Sequence, residues 1–359
     1  MEPIRVAIIG TGSVARSHVQ SLQSRGDEVE VVGAVDIDGD RLSAFCEQHG
    51  IPNGYDNVAD LLEKEQPQLV HVCTPPGAHA EAALKCLGAG VNVIVEKPPT
   101  LTLAEFDTLV EAEKESNAWL ATLFQHRFGS GALRLQKLMA DGVLGRPLVA
   151  ICNTVWFRDQ AYLDVEWRGR WDTEGGGPTM GHGIHQIDLL SAIMGQWTEV
   201  SAIARRQART TDTEDVTMGT VAFANGAIAS VVNSILSPRE ESYLRFDFEY
   251  ATVEVSHVYG YGDENWTITP AKGYEDKVIP AWEAGPHGTR SAHVAQCIEV
   301  LKAVREGTPP PVTSSESRRT LELVAATYAS AFQRRPIRPE DLGPDSPFYQ
   351  RMEGDGPRW

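Results

Sequence analysis

Cysteine is scarce in this chain of 359 residues. The five present, Cys46, Cys73, Cys86, Cys152 and Cys297, are odd in number, scattered and set in apolar sequence. No pair has CxxC or zinc-ligand spacing, so neither a disulfide framework nor a thiolate metal site organises the fold, and reduced core thiols are expected. Positive charge is also short: 32 Lys and Arg face 49 Asp and Glu, a formal net charge of −17. That balance disfavours non-specific attachment to nucleic acid or to an anionic membrane. No apolar run reaches membrane-spanning length and no leader-like stretch precedes the first strand, which points to the cytoplasm. Internal repeats and low-complexity tracts are missing too.

What is there is ordinary globular composition, 42% hydrophobic and 23% charged, at a length that suits two domains. The most informative stretch runs from Val91 to Pro99, VNVIVEKPP. Its β-branched residues, bounded by Gly90 and a proline pair, read as a buried parallel strand that stops on Glu96-Lys97. In open α/β sheets, ligands bind just outside the carboxyl ends of the strands. A lysine there either points into solvent or sits at the edge of a dry pocket and takes part in proton transfer. Position alone leaves both open.

The preceding residues decide between them. Ile4–Ile9 reads as a strand, followed at once by Gly10-Thr11-Gly12-Ser13-Val14-Ala15, a G-x-G-x-x-A fingerprint opening a helix. Gly10 permits the tight turn, Gly12 lets backbone approach a pyrophosphate, and Ala15 lets helix and strand pack closely. The first helical turn, Ser13 to Ala15, offers N–H groups to phosphates. A second strand, Val29 to Val35, ends on Asp36, where a carboxylate accepts the adenosine ribose hydroxyls and repels a 2′-phosphate. NAD is therefore expected over NADP, with Arg41 near enough to admit NADP. Strands and helices then alternate through Phe124, with a rigid Thr74-Pro75-Pro76-Gly77-Ala78-His79 loop after the strand at Leu69 to Cys73. This rhythm predicts a doubly wound parallel sheet over residues 1–124. Its strand ends converge on one crevice, which favours a chemical role for Lys97.

The fingerprint at Gly10, Thr-Pro-Pro-x-x-His at Thr74 to His79, and Glu-Lys-Pro at Glu96 to Pro98 together resemble the glucose–fructose oxidoreductase/inositol dehydrogenase family (Gfo/Idh/MocA). The resemblance spans roughly residues 4–340. It implies that Lys97 lies beside the nicotinamide and the reacting hydroxyl. It also extends the cofactor-binding set from Gly10, Gly12, Ser13, Val14, Ala15 and Asp36 to Thr74, Pro75, His79, Glu96, Lys97 and Gln125. Gln125-His126-Arg127-Phe128 resembles the family's crossover into its second domain.

Residues 125–340 read as an α+β substrate domain with a large, mostly antiparallel open sheet. A hairpin at Asn225-Gly226 marks it, and residues 341–359 read as a surface tail. Six of the eight tryptophans fall between 156 and 282; aromatic faces there either bind sugar rings or fill the core. The richest segment runs from Trp167 to Leu190, with glycines that suggest close backbone approach. Its later half has helical spacing that places His185 near Asp188. The segment resembles the family's second motif, Gly-Gly-x-x-x-Asp-x-Gly-x-His-x-x-Asp, at Gly176 or Gly177, Gly183, His185 and Asp188. It departs at the acidic position, which is Gly181 here, and so leaves His185 without that partner. Arg168, Trp171 and His182 are further substrate-side candidates. His182 and His185 lack a third and fourth ligand, so no metal is expected.

The resemblance implies an NAD(P)-dependent oxidoreductase moving a hydride between nicotinamide and a secondary alcohol of a sugar, cyclitol or related polyol. Lys97 and His185 would handle the hydroxyl proton. It also implies a homodimer or homotetramer formed through the C-terminal sheet. Two other readings stay open: an NAD-dependent glycoside-cleaving enzyme with no net redox change, and a non-catalytic dinucleotide-binding regulator.

Overall fold

The computed structural model describes residues 2–357 and 359. It divides into two compact units, Met1–Leu123 with Gln296–Arg318, and Phe124–Ala295 with Arg319–Trp359.

In chain order the first unit carries β1 (Ile4–Ile9), α1 (Ser13–Gln23), β2 (Val29–Val35), α2 (Gly39–His49), β3 (Gly54–Tyr55) and α3 (Val58–Glu65). β4 (Leu69–Val72), α4 (His79–Gly88), β5 (Asn92–Val95), α5 (Leu103–Glu115) and β6 (Leu120–Thr122) follow. The six strands are parallel, in the order β3-β2-β1-β4-β5-β6. Chain order reverses direction between β1 and β4, and such a switch point opens a crevice at the carboxyl edge. The largely apolar strands β1, β4 and β5 are buried, as expected of a parallel sheet with helices on both faces. Helices start where short polar side chains cap them: Asp38 for α2, Asn57 for α3 and Thr102 for α5 each accept a backbone N–H.

Segment Gln296–Arg318 also belongs to this unit, beyond the expected boundary at 124. Cys297, Val300 and Leu301 pack into one core with Ile4, Val6, Ile8, Leu69 and Ile94. Gln296 donates its side-chain amide to the Thr122 carbonyl at 2.8 Å. Helical periodicity shows that such a segment has an apolar face; it does not show which sheet that face covers.

The second unit is built on β7 (Pro147–Phe157), β8 (Trp197–Arg205), β9 (Val216–Phe223), β10 (Ile228–Ser234), β11 (Leu236–Phe248), β12 (Ala251–His257) and β13 (Trp266–Pro270). Their order is β13-β12-β11-β7-β10-β9-β8, antiparallel except for the β7–β10 pair. Gly226, at φ +89°, makes the tight turn between β9 and β10 as Asn-Gly predicts. Helices of this unit include α6 (Ser130–Ala140), α7 (Gln160–Leu163) and α8 (Ile184–Met194), the last buried along nearly its whole length. The closing stretch is more than a surface tail. Ile337 exchanges backbone hydrogen bonds with Val200 on β8, and Leu342, Phe348 and Met352 are buried. Its prolines and charges hide these widely spaced apolar anchors from a composition-based reading. No helix among the described residues is long and apolar enough to cross a membrane.

Candidate active site

Strand register places the candidate residues of the first unit. Ile9 pairs with both Val35 and Val72, and Val72 with Val95, so Gly10, Asp36, Cys73 and Glu96 emerge at one edge of the sheet. Gly10 has φ +88°, and an added Cβ would sit 2.7 Å from Thr74 N and 2.8 Å from Cys73 C, so only glycine fits beside β4. A Cβ on Gly12 would meet no atom within 4 Å, which leaves room for a pyrophosphate. α1 starts there on Ser13, Val14 and the buried Ala15, with no side-chain cap and no acidic residue in its first turn. Such a helix start favours an anion.

Asp36 is buried and accepts the Thr11 backbone N–H at 2.8 Å and its hydroxyl at 2.6 Å. Arg41 grips the same carboxylate with Nε at 3.0 Å and Nη2 at 2.5 Å. Burial alone would push this carboxyl up; the hydrogen bonds from Arg41 and Thr11 prevail and hold it well below the usual carboxylate range. These features fit a dinucleotide, with Asp36 for the ribose and Arg41 as the one guanidinium attached to it.

At the ends of β4 and β5 two expected cofactor ligands have protein partners. His79 is buried, and its ring nitrogens face the Thr74 carbonyl at 2.7 Å and the Pro98 carbonyl at 2.9 Å. It ties the two loops together. Burial pushes its pKa down against those hydrogen bonds. Glu96 places Oε1 2.8 Å from His18 Nε2 and accepts the Lys97 backbone N–H on Oε2 at 3.1 Å. His18 Nδ1 is in turn 2.8 Å from His71 Nδ1. A carboxylate only accepts, so His18 Nε2 carries a proton, and a neutral His18 then receives one from His71 Nδ1–H. Glu96 therefore anchors the backbone at Lys97. His18 and His71 were missed; a histidine inside the otherwise apolar β4 was a signal, because a buried polar ring requires a partner.

Close packing places the candidate residues of the second unit. Glu214 is buried and accepts Gly177 N–H at 3.0 Å, Thr179 N–H at 3.1 Å and the Tyr328 hydroxyl at 2.9 Å. Burial lifts its pKa to about 7. A Cβ on Gly177 would collide with the Glu214 carbonyl, and one on Gly183 with Asn233 Oδ1. Thr179–Gly183 form a π-helical turn that runs into α8, so His182 and His185 arrive on consecutive turns. The His185 ring stacks on His126 at 5.0 Å and meets Tyr259 edge-on at 5.6 Å. Asp188 is held by Arg127 through two bonds of 2.6 and 2.7 Å and by the Thr320 hydroxyl at 3.0 Å, which makes it the buried anchor of α8.

From Tyr259 the ring contacts continue to Trp156 and from there to His182. His182 Nε2 lies 3.1 Å from the Tyr162 hydroxyl. Arg168 donates to that same hydroxyl and lies over the Tyr162 and Trp167 rings at 4.0 and 4.3 Å. Two further expected residues have protein partners here. Gln125 directs its amide to the Tyr259 hydroxyl, supporting a neighbour of His185. Trp171, half-buried, donates to the Asp212 carbonyl and packs edge-on against Tyr328 and Phe332. Sequence reasoning missed Tyr162, Glu174 and Tyr259, which stand outside the motif spacing, and named His126 only as part of the crossover.

Fold and site together define an oxidoreductase with a nicotinamide dinucleotide domain. Residues 4–124 match the profile described as oxidoreductase family, NAD-binding Rossmann fold, and residues 132–256 match the GFO/IDH/MocA C-terminal domain. The chain belongs to the Gfo/Idh/MocA family and is an NAD(P)-dependent oxidoreductase. It is similar to myo-inositol 2-dehydrogenase of Thermotoga maritima, 24% identical over 94% of this chain and 99% of that protein. D-glucoside 3-dehydrogenase of Escherichia coli is 28% identical over 72% of this chain and 79% of the relative. Among solved structures, the WlbA dehydrogenase of Chromobacterium violaceum, in complex with NADH and UDP-GlcNAcA, matches with TM-score 0.82 and 27% identity. It covers 94% of this chain and 96% of its own.

Proposed function

We propose that this enzyme oxidises or reduces one secondary alcohol of a sugar, cyclitol or related polyol, with NAD as the preferred dinucleotide. The observation that carries the reading is Lys97, which follows β5 at the same sheet edge as Gly10 and Asp36, its backbone N–H held by Glu96. Relatives named for inositol and glucoside dehydrogenation support the polyol class. The bound dinucleotide supplies the hydride acceptor at its nicotinamide. Lys97 binds the reacting oxygen and stabilises negative charge developing there, and His185 takes the hydroxyl proton. The aromatic contacts of His185 with His126 and Tyr259 fix its ring for that transfer. The test is titration with NAD and NADP, followed by absorbance at the NADH band over a panel of sugars and cyclitols. NADH formed from one polyol supports the reading; NAD binding without NADH from any polyol overturns it.

The compartment and assembly belong to the same proposal. All five cysteines are free thiols, and burial pushes Cys86 and Cys297 up to about 12, which suits a reducing cytoplasm. One face of the second sheet exposes Val149, Ile203, Met218 and Ile228, a row suited to a second copy of the chain. Light scattering of Met218→Glu/Ile228→Glu should show a smaller particle than wild type; an unchanged mass would sink the interface.

A further inference from the structure

A side chain at Gly181 would begin 3.3 Å from Glu174 Oε1. Glu174 comes from the loop before the π-helical turn and is buried, at 5% exposure. Its Oε2 accepts Gly169 N–H at 2.7 Å, and Arg168 Nη1 lies 3.3 Å from Oε1. Residues 181 and 185 lie one helical turn apart and share a face, so this carboxylate stands over the face that carries His185. The Tyr162 hydroxyl accepts a hydrogen bond from Arg168 and shares a second one with His182 Nε2. Glu174, Arg168, Tyr162 and His182 thus form one cluster. The ring contacts through Trp156 and Tyr259 connect it to His185.

We propose that Glu174 supplies from a loop the substrate-binding carboxylate that Gly181 cannot, and that it selects neutral vicinal diols over anionic sugars. The carboxylate accepts hydroxyl protons, while Arg168, already matched in charge by Glu174, has no surplus positive charge for a uronate. This inference rests on the polyol reading above. It requires glycine at 181, because a second acid there would meet Glu174 at contact distance.

The test uses the NADH-saturated enzyme, titrated with myo-inositol, methyl glucoside and glucuronate by tryptophan fluorescence, with NADH formation from NAD assayed in parallel. Glu174→Gln should weaken both neutral ligands about tenfold or more, the scale of one charged hydrogen bond. It should strengthen glucuronate, because Arg168 is released, and leave NADH affinity unchanged. Gly181→Asp alone should weaken the neutral ligands, and Glu174→Ala/Gly181→Asp should recover them relative to Glu174→Ala. Unchanged binding in Glu174→Gln, or an equal loss for neutral and anionic ligands, overturns the inference. Neutral polyol bound by wild type without NADH formation overturns the functional reading alone, and the Glu174→Gln shifts then decide the inference. No polyol binding by wild type overturns both.

Discussion

The two units position their chemistry by different means. In the first, ladder register sets the site: four strands stop in step, and Gly10, Asp36, Cys73 and Glu96 emerge together. In the second, backbone is pressed onto buried polar groups: Gly177 on Glu214, Gly183 on Asn233, and Gly181 beneath Glu174. A register-built site tolerates change between its strand ends. A packing-built site depends on contacts between residues far apart in sequence, so small changes of volume or charge there reach the functional side chain.

The largest expected effect lies in the register-built half. Lys97→Ala removes a side chain from a strand end whose backbone stays anchored by Glu96. Turnover should fall about 10²- to 10⁴-fold, the range of a lost proton-transfer group, with NAD affinity within a few-fold of wild type. Single-turnover kinetics and a dinucleotide titration separate the two, and unaffected turnover would remove Lys97 from the chemistry.

Gly183→Ala probes the other mode. Its Cβ collides with Asn233 Oδ1 on β10, next to the turn that carries His182 and His185. Overpacking of this kind costs about 3 kcal/mol, measurable by urea unfolding. Activity should fall further than stability alone explains, because the turn must shift. Gly12→Ala, which meets no protein atom, should leave stability nearly unchanged and act on dinucleotide binding instead. Equal unfolding midpoints for the two variants would break the contrast.

That contrast also explains what could be read from the sequence. The doubly wound unit follows from the β-branched runs, the fingerprint at Gly10, Asp36 and Glu96-Lys97, because each of these signals is local. The hairpin at Asn225-Gly226 and the histidines on α8 are local too. Glu174 is not: it is one acid among 49 Asp and Glu, and only the folded loop sets it over Gly181. Likewise His79 and Gln125 sit inside motifs, yet their partners, the Pro98 carbonyl and the Tyr259 hydroxyl, are distant in sequence. Motif membership located these residues without giving what they bind.

Glu214 gives the packing-built half a pH signature. Burial raises its pKa from an ordinary 4.5 to about 7, so the folded state favours the protonated acid. The associated stability is fully present below about pH 4.5 and is lost as pH rises through 7, a change of at most roughly 3 kcal/mol. Glu214→Gln cannot ionise and lacks this loss. The stability of wild type relative to the variant should therefore decline from pH 5 to pH 8 in paired urea titrations. A constant difference across that window would show that Glu214 keeps one protonation state.

The smallest effect concerns cofactor choice, where the register-built half contains one contact that register does not set. Asp36 binds Arg41 through both oxygens, and the guanidinium is about half exposed, so the pair can open when a ligand competes for either partner. A ribose diol competes for Asp36, and a 2′-phosphate competes for Arg41. Asp36→Ala should therefore weaken NAD about tenfold and strengthen NADP, because Arg41 is released. Arg41→Ala should weaken NADP about tenfold and leave NAD within about threefold, a balance of lost clamp and freed carboxylate. Titrating both dinucleotides against both variants checks the reciprocity. If the two substitutions shift NAD and NADP in the same direction, Arg41 braces the turn after β2 and does not discriminate between the cofactors.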